Sequence, residues 1–264
     1  MQALRSNGVY IHYADEGDPD GAPVLFANSL GTDFRVWDAL IPRLPAGLRI
    51  IRFDKRGHGL SEAPEPPYGM QELVHDAAAV LDHLKVKDAV VVGLSIGGLI
   101  AQGLAAERPD LVKAMVLMDT AAKIGTEDMW NARIDQVQAQ GIASMAEGIL
   151  ERWFARAFRE EKPGELAMWR AMLTRTTVEG YAGCCGAIRD CDLMESTSRL
   201  TLPTLAMGGD EDGSTPPDLV RETANLVLGA RFELIRGAGH LPCVEKPGET
   251  AALISAFLEE VGHV

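Results

Sequence analysis

No stretch of the 264-residue sequence approaches ~18 uninterrupted apolar residues, so no membrane-spanning helix is expected. The segment from Met1 to Asn7 has no apolar core ahead of a cleavage site, which argues against a signal peptide. Basic residues are in deficit, 25 against 38 acidic ones. The resulting net charge of −13 argues against nucleic acid or an anionic membrane as partner. There are only four cysteines, and none stands in C-x-x-C spacing, which argues against a zinc site or a thioredoxin-like centre. Without an export signal they read as reduced thiols, and a cytoplasmic location is expected. No internal repeat and no low-complexity tract breaks the chain. With 47% hydrophobic and 24% charged residues, disorder and fibrous architecture are excluded as well.

What is present is an alternation of short β-rich runs and helix-like segments. The runs are Val9–Tyr13, Pro23–Ala27, Leu48–Phe53, Ala89–Val92, Ala114–Met118, Thr204–Met207 and Ala230–Ile235. Several are apolar throughout, the mark of strands buried on both faces. The alternation predicts an α/β fold, a mostly parallel central sheet flanked by helices. Residues 122–189 break the rhythm. They contain helix formers (Trp130–Gln140, Ile142–Phe158, Glu165–Thr174) and no convincing strand, and they are too long for a plain loop. The prediction is a helical cap at 122–189 inserted into a core formed by 1–121 and 190–264. The insertion is nearly balanced in charge, so the acidic excess lies in the rest of the chain.

The sharpest motif is Gly93-Leu94-Ser95-Ile96-Gly97-Gly98, between the run Ala89–Val92 and a helix-like stretch that stops at Arg108-Pro109. This is the strand–turn–helix setting of a G-x-S-x-G nucleophile elbow. A serine on so tight a turn needs neighbours without bulk, hence the glycines. The helix N-terminus beneath it offers free N–H groups, and the amide of Ile96 would point at an oxyanion formed by attack of Ser95.

Serine is a weak nucleophile and needs a base. Such hydrolases order the triad as Ser, then acid, then His. Of the six histidines only His240 and His263 follow Ser95, and His263 is penultimate. His240, in Gly237-Ala238-Gly239-His240 after a strand, is the predicted base. The acid should leave the run Thr204–Met207, where the loop carries Asp210, Glu211 and Asp212. Asp212 is favoured, with Asp210 as the alternative. The second oxyanion donor is predicted in the loop Asn28–Thr32, at the backbone N–H of Leu30.

These landmarks, with Asp54-Lys55-Arg56-Gly57-His58-Gly59-Leu60-Ser61, resemble the α/β-hydrolase superfamily over the whole chain. A closer likeness is to the 3-oxoadipate enol-lactonases. It is carried by Asn28-Ser29-Leu30-Gly31-Thr32, the elbow, Asp119-Thr120-Ala121-Ala122-Lys123-Ile124-Gly125 and Gly180-Tyr181-Ala182-Gly183-Cys184-Cys185-Gly186-Ala187-Ile188-Arg189-Asp190. Ser214-Thr215-Pro216-Pro217 and His240-Leu241-Pro242-Cys243-Val244-Glu245 extend it. One departure from the wider superfamily is Asn28-Ser29, where many members carry His-Gly.

The resemblance implies hydrolysis of 3-oxoadipate enol-lactone to 3-oxoadipate, a step of aromatic-compound catabolism, with no metal or organic cofactor. It implies a small anionic lactone as the binding partner, and a carboxylate that some cation must hold. Arg133 is the first candidate, with Lys123 and Arg189 next; Trp130 and Trp153 are candidate pocket walls. Competing readings are another cap-bearing serine hydrolase (an esterase, a cofactor-free perhydrolase or a carbon–carbon bond hydrolase) and a binding module that kept the fold without turnover.

Overall fold

In the computed structural model, which describes residues 1–264, eight strands form one sheet. They are β1 (Gln2–Ser6), β2 (Val9–Gly17), β3 (Ala22–Ala27), β4 (Leu48–Phe53), β5 (Ala89–Leu94), β6 (Val112–Met118), β7 (Thr204–Gly209) and β8 (Arg231–Ile235). Their order is β1-β2-β4-β3-β5-β6-β7-β8. From β4 onward neighbours are parallel, whereas β2 pairs antiparallel with both β1 and β4. The all-apolar runs fall at the middle of the sheet. Every residue of β5 is buried, as a strand covered on both faces requires.

Strand β1 is absent from the sequence reading. Its signal was Asn7-Gly8, which have positive φ (47° and 86°) and close a two-residue hairpin into β2.

Helices α1 (Met70–His83) and α2 (Ile96–Glu107) pack against each other, and α2 lies on β5 and β6. Between β6 and β7 the chain forms only helices. The longer ones are α3 (Glu127–Gln140), α4 (Ala146–Trp153), α5 (Arg156–Glu161), α6 (Pro163–Thr174) and α7 (Val178–Arg189), and the short α8 (Met194–Thr197) follows. Thr126 and Thr177 cap α3 and α7 by accepting the N–H groups of Met129 and Gly180. The small residues of α7 have a packing cause. A Cβ on Gly180 would collide with the backbone of Gly57, and one on Gly183 with the Tyr68 ring. The helix thus lies directly on the loop after β4.

The stretch Ile142–Phe158, continuous in its helix formers, is broken in the structure. A 3-10 turn (Ile142–Met145) precedes α4, and the chain is extended at Phe154 and Ala155 before α5. The break frees backbone groups that the core loops use, as described below. One buried apolar cluster runs from the sheet through Trp130, Leu150, Trp153 and Phe154, so the helical insertion shares its packing with the sheet. After β7 come α9 (Pro217–Ala224), β8, the short α10 (Pro242–Glu245) and α11 (Pro247–Glu260).

Candidate active site

Ser95 links β5 to α2 with φ 58° and ψ −119°, a left-handed conformation that a residue with a side chain rarely adopts. The surroundings impose it. The Ser95 N–H donates to Met118 O at 3.0 Å, and its carbonyl accepts from Gly98 N–H at 2.8 Å and from the Thr120 hydroxyl at 2.6 Å. The glycines behave as the motif requires. A Cβ at Gly93 would run into the Gly97 backbone, one at Gly97 into the Ala27 carbonyl, and one at Gly98 into Thr120. Ile96 is the first residue of α2, and the N–H groups of a first turn have no intrahelical acceptor.

His240 is buried in the loop after β8. Its Nδ1 lies 2.8 Å from Asp212 Oδ2. Asp212 also accepts from the Thr215 hydroxyl at 2.7 Å and from Ser214 N–H at 2.7 Å. Burial opposes ionisation of Asp212, yet His240 and these donors hold its carboxyl below the usual carboxylate range. An ionised Asp212 can only accept, so His240 Nδ1 carries the proton and Nε2 is left as the basic atom. Of the two sequence candidates for the acid, Asp212 touches the imidazole. Asp210 instead accepts Gly237 N–H at 2.6 Å. In this conformation the Ser95 hydroxyl makes no hydrogen bond to His240, whose Nε2 is 3.4 Å from Ser29 Oγ. Such bonds are often loose without substrate.

The loop Asn28–Thr32 is held from below by a buried lysine. Lys55 Nζ donates to Ser29 O at 2.5 Å and reaches Asn28 O and Thr32 O at 3.4 Å each. No carboxylate pairs with it, and burial lowers its pKa to about 8. His58 completes the support by accepting Gly31 N–H at Nε2, 2.9 Å away. Burial, reinforced by the Lys55 charge, keeps His58 neutral, which fits a bracing role. The Leu30 N–H finds no acceptor within the protein.

Ser95, His240, Leu30 and Ser29 line one cavity of about 110 Å³. Its far wall comes from the helical insertion, with Trp130, Arg133, Ile149, Arg152, Trp153 and Tyr181. Neither Arg133 nor Arg152 has a carboxylate partner, although most arginines of the chain do. Arg133 lies over the Trp130 ring at 5.1 Å. Burial and the neighbouring Arg133 charge lower the Arg152 pKa. Arg152 is the residue that the sequence reading missed. Lys123 and Arg189 do not line the cavity; they pair at the surface with Asp192 (2.8 Å) and Asp190 (2.7 Å). A larger cleft of about 350 Å³, lined by His12, Phe34, Arg35 and Arg175 among others, contains none of the groups of the elbow or the His240 loop.

The break between α4 and α5 fastens the insertion to these loops. Gly213 N–H donates to Arg152 O at 3.2 Å, and His240 N–H donates to Trp153 O at 2.8 Å. Arg156 N–H donates to Glu211 at 3.1 Å. Glu245 accepts from Ala155 N–H at 2.9 Å and from Gly239 N–H at 2.7 Å, and its burial raises its pKa to about 7.

Sheet order, elbow and histidine loop together define the class, and sequence comparison agrees. The profile of the alpha/beta hydrolase family matches residues 21–253, and the chain belongs to that family. It is 33% identical to 3-oxoadipate enol-lactonase 2 of Acinetobacter baylyi over 92% of this chain and 91% of that protein. The enol-lactonase from Burkholderia xenovorans LB400 superposes with a TM-score of 0.95 at 34% identity, covering 98% of this chain and 100% of that one. A thermophilic esterase from Thermogutta terrifontis superposes with a TM-score of 0.93 at 26% identity, each chain covered completely (100%). The protein is therefore a hydrolase acting on lactone or ester bonds, and its substrate is a small molecule. No helix is long and apolar enough to cross a membrane.

Proposed function

We propose that this hydrolase opens 3-oxoadipate enol-lactone to 3-oxoadipate, in the catabolism of aromatic compounds, through a Ser95–His240–Asp212 triad. The observation that carries the reading is the unpaired arginine couple, Arg133 and Arg152, in the same small cavity as Ser95 and His240. An uncharged ester needs no such couple. A lactone bearing a free carboxylate does, in a chain whose net charge is −13.

His240 Nε2 takes the Ser95 proton as the hydroxyl attacks the lactone carbonyl. The tetrahedral oxyanion is received by the amides of Ile96 and Leu30. Collapse breaks the ring C–O bond and expels an enolate, which takes the proton held by the His240 imidazolium and becomes a ketone, leaving His240 neutral again. Water, deprotonated by His240, then cleaves the acyl-enzyme and releases Ser95. Arg133 and Arg152 bind the substrate carboxylate, with Trp130 and Trp153 as walls. No metal or organic cofactor enters these steps. In this reading residues 122–189 are the specificity-bearing cap on a core of 1–121 and 190–264. The four free, buried cysteines fit a reducing cytoplasm.

The test is spectrophotometric loss of the enol-lactone on adding purified protein, beside p-nitrophenyl acetate and a vinylogous diketone. Preferred turnover of the lactone supports the proposal. Preference for the neutral ester would favour a general esterase, the reading that the likeness to the Thermogutta esterase supports. A fluorophosphonate that fails to label Ser95 would indicate a binding module.

A further inference from the structure

The residue immediately after β6, Asp119, carries a carboxyl that the reaction above leaves unused. It is fully buried. Its Oδ1 accepts Gly209 N–H at 2.9 Å. Its Oδ2, equally buried, has no hydrogen-bond partner. One oxygen of Asp119, one of Asp212 and a ring nitrogen of His240 lie within 4.8 Å of one another. The titratable groups facing Asp119 are Asp212, His240, Glu245 and Cys243, with no lysine or arginine among them.

Two carboxyls so close and so dry do not both ionise, because like charges without a counterion force one to keep its proton. The hydrogen bonds decide which one. Asp212 accepts from His240, Thr215 and Ser214, all of which favour its charged form. Asp119 has a single donor, so the proton belongs to Asp119. Burial and the Asp212 charge, acting together, push its carboxyl well above the usual range. The orphaned Oδ2 is then a hydroxyl in need of an acceptor, and Asp212 is beside it.

We propose that Asp119 is a positioning residue, a neutral carboxylic acid whose Oδ2–H donates a hydrogen bond to the Asp212 carboxylate. The proton stays on Asp119 throughout turnover, and no bond is made or broken there. The hydrogen bond adds a further restraint on the rotation of Asp212. It also draws electron density from the carboxylate that accepts from His240 Nδ1. The inference rests on the Ser95–His240–Asp212 assignment, and its test separates the two.

The measurement is the rate of fluorophosphonate labelling of Ser95 against pH, in wild type, Asp119→Leu and Asp119→Asn. Absence of labelling in the wild type would sink the triad assignment. With labelling present, Asp119→Leu should move the acidic limb to higher pH, because Asp212 without its donor holds the His240 proton more tightly. The plateau rate should fall roughly tenfold or more, the usual consequence of losing a hydrogen bond to a charged group. Asp119→Asn, whose amide can donate in place of the hydroxyl, should rescue both changes relative to Asp119→Leu. A limb that moves to lower pH in both variants would mean that an ionised carboxylate had been removed, and would overturn the proposal. So would a limb that stays put in both. Independently of any labelling, the infrared difference spectrum of wild type minus Asp119→Asn at neutral pH should contain a protonated-carboxyl C=O stretch, separated in this way from the Glu245 carboxyl. Its absence from the difference spectrum refutes the neutral acid even if the leucine variant does not fold.

Discussion

The sheet side and the helical side of the cavity treat their polar groups in opposite ways. On the sheet side the groups that brace the acid and the Asn28–Thr32 loop are paired. Asp212 has three donors, the carbonyls beneath Leu30 share the Lys55 ammonium, and His58 holds Gly31. On the helical side Arg133 and Arg152 are left without carboxylate partners and close enough to oppose each other. Pairing fixes geometry, and fixed donors and dipoles are what stabilise charge that appears only in a transition state. Unmet charge does the reverse: it leaves binding energy to be realised when an anion arrives. The proposed function therefore divides along the cavity, with chemistry on one wall and recognition on the other.

That division is broken most severely at the nucleophile. Ser95→Ala should lower kcat on the order of 10⁶-fold while leaving the fold intact, checked by progress curves alongside circular dichroism. Next comes the acid. Asp212→Asn should cost on the order of 10⁴-fold in kcat, whereas Asp210→Asn, which loses only a bond to Gly237, should stay within about threefold.

The opposite wall is expected to show itself in KM. Arg133→Ala and Arg152→Ala should each raise KM for the enol-lactone roughly 10- to 100-fold with little change in kcat, and should barely alter turnover of neutral p-nitrophenyl acetate. Equal losses on both substrates would mean that the arginines serve the chemistry and that the division is false.

The smallest effect concerns Lys55, whose pKa falls to about 8 from an ordinary 10.5. Between those values the unfolded chain binds a proton that the folded one has released, so this residue makes stability rise with pH across the window. Over the same interval the loop carbonyls lose the ammonium, and kcat should decline about two- to fivefold above about pH 8. Lys55→Met should remove both trends, seen in denaturation midpoints and in the pH–rate profile.

The sheet side was readable from sequence because its signals are local. Apolar runs, the glycines around Ser95 and the placement of His240 after a strand each depend on a few neighbouring residues. Asp212 and Asp210 could not be separated fully, since both sit on one loop and only the tertiary fold brings His240 to one of them. On the helical side the signals are relational. Arg152 was concealed in a run of helix formers, and what marks it is the lack of an acid three or four positions away. Arg133 shares that lack, whereas Lys123 has Glu127 and Arg189 has Asp192 at such a distance. Asp119 gave no sequence signal of its role, because an unpartnered oxygen exists only once β6, β7 and the His240 loop have met.

The seam at Arg152–Arg156 restricts how the molecule can breathe. Raising that edge of the helices would strip His240 of its backbone acceptor and Gly213 of its own, so each opening would dismantle the site it exposed. An opening at the remote margin of the insertion, with the stitched edge as the pivot, would leave both bonds in place. The histidine then keeps its alignment from one turnover to the next.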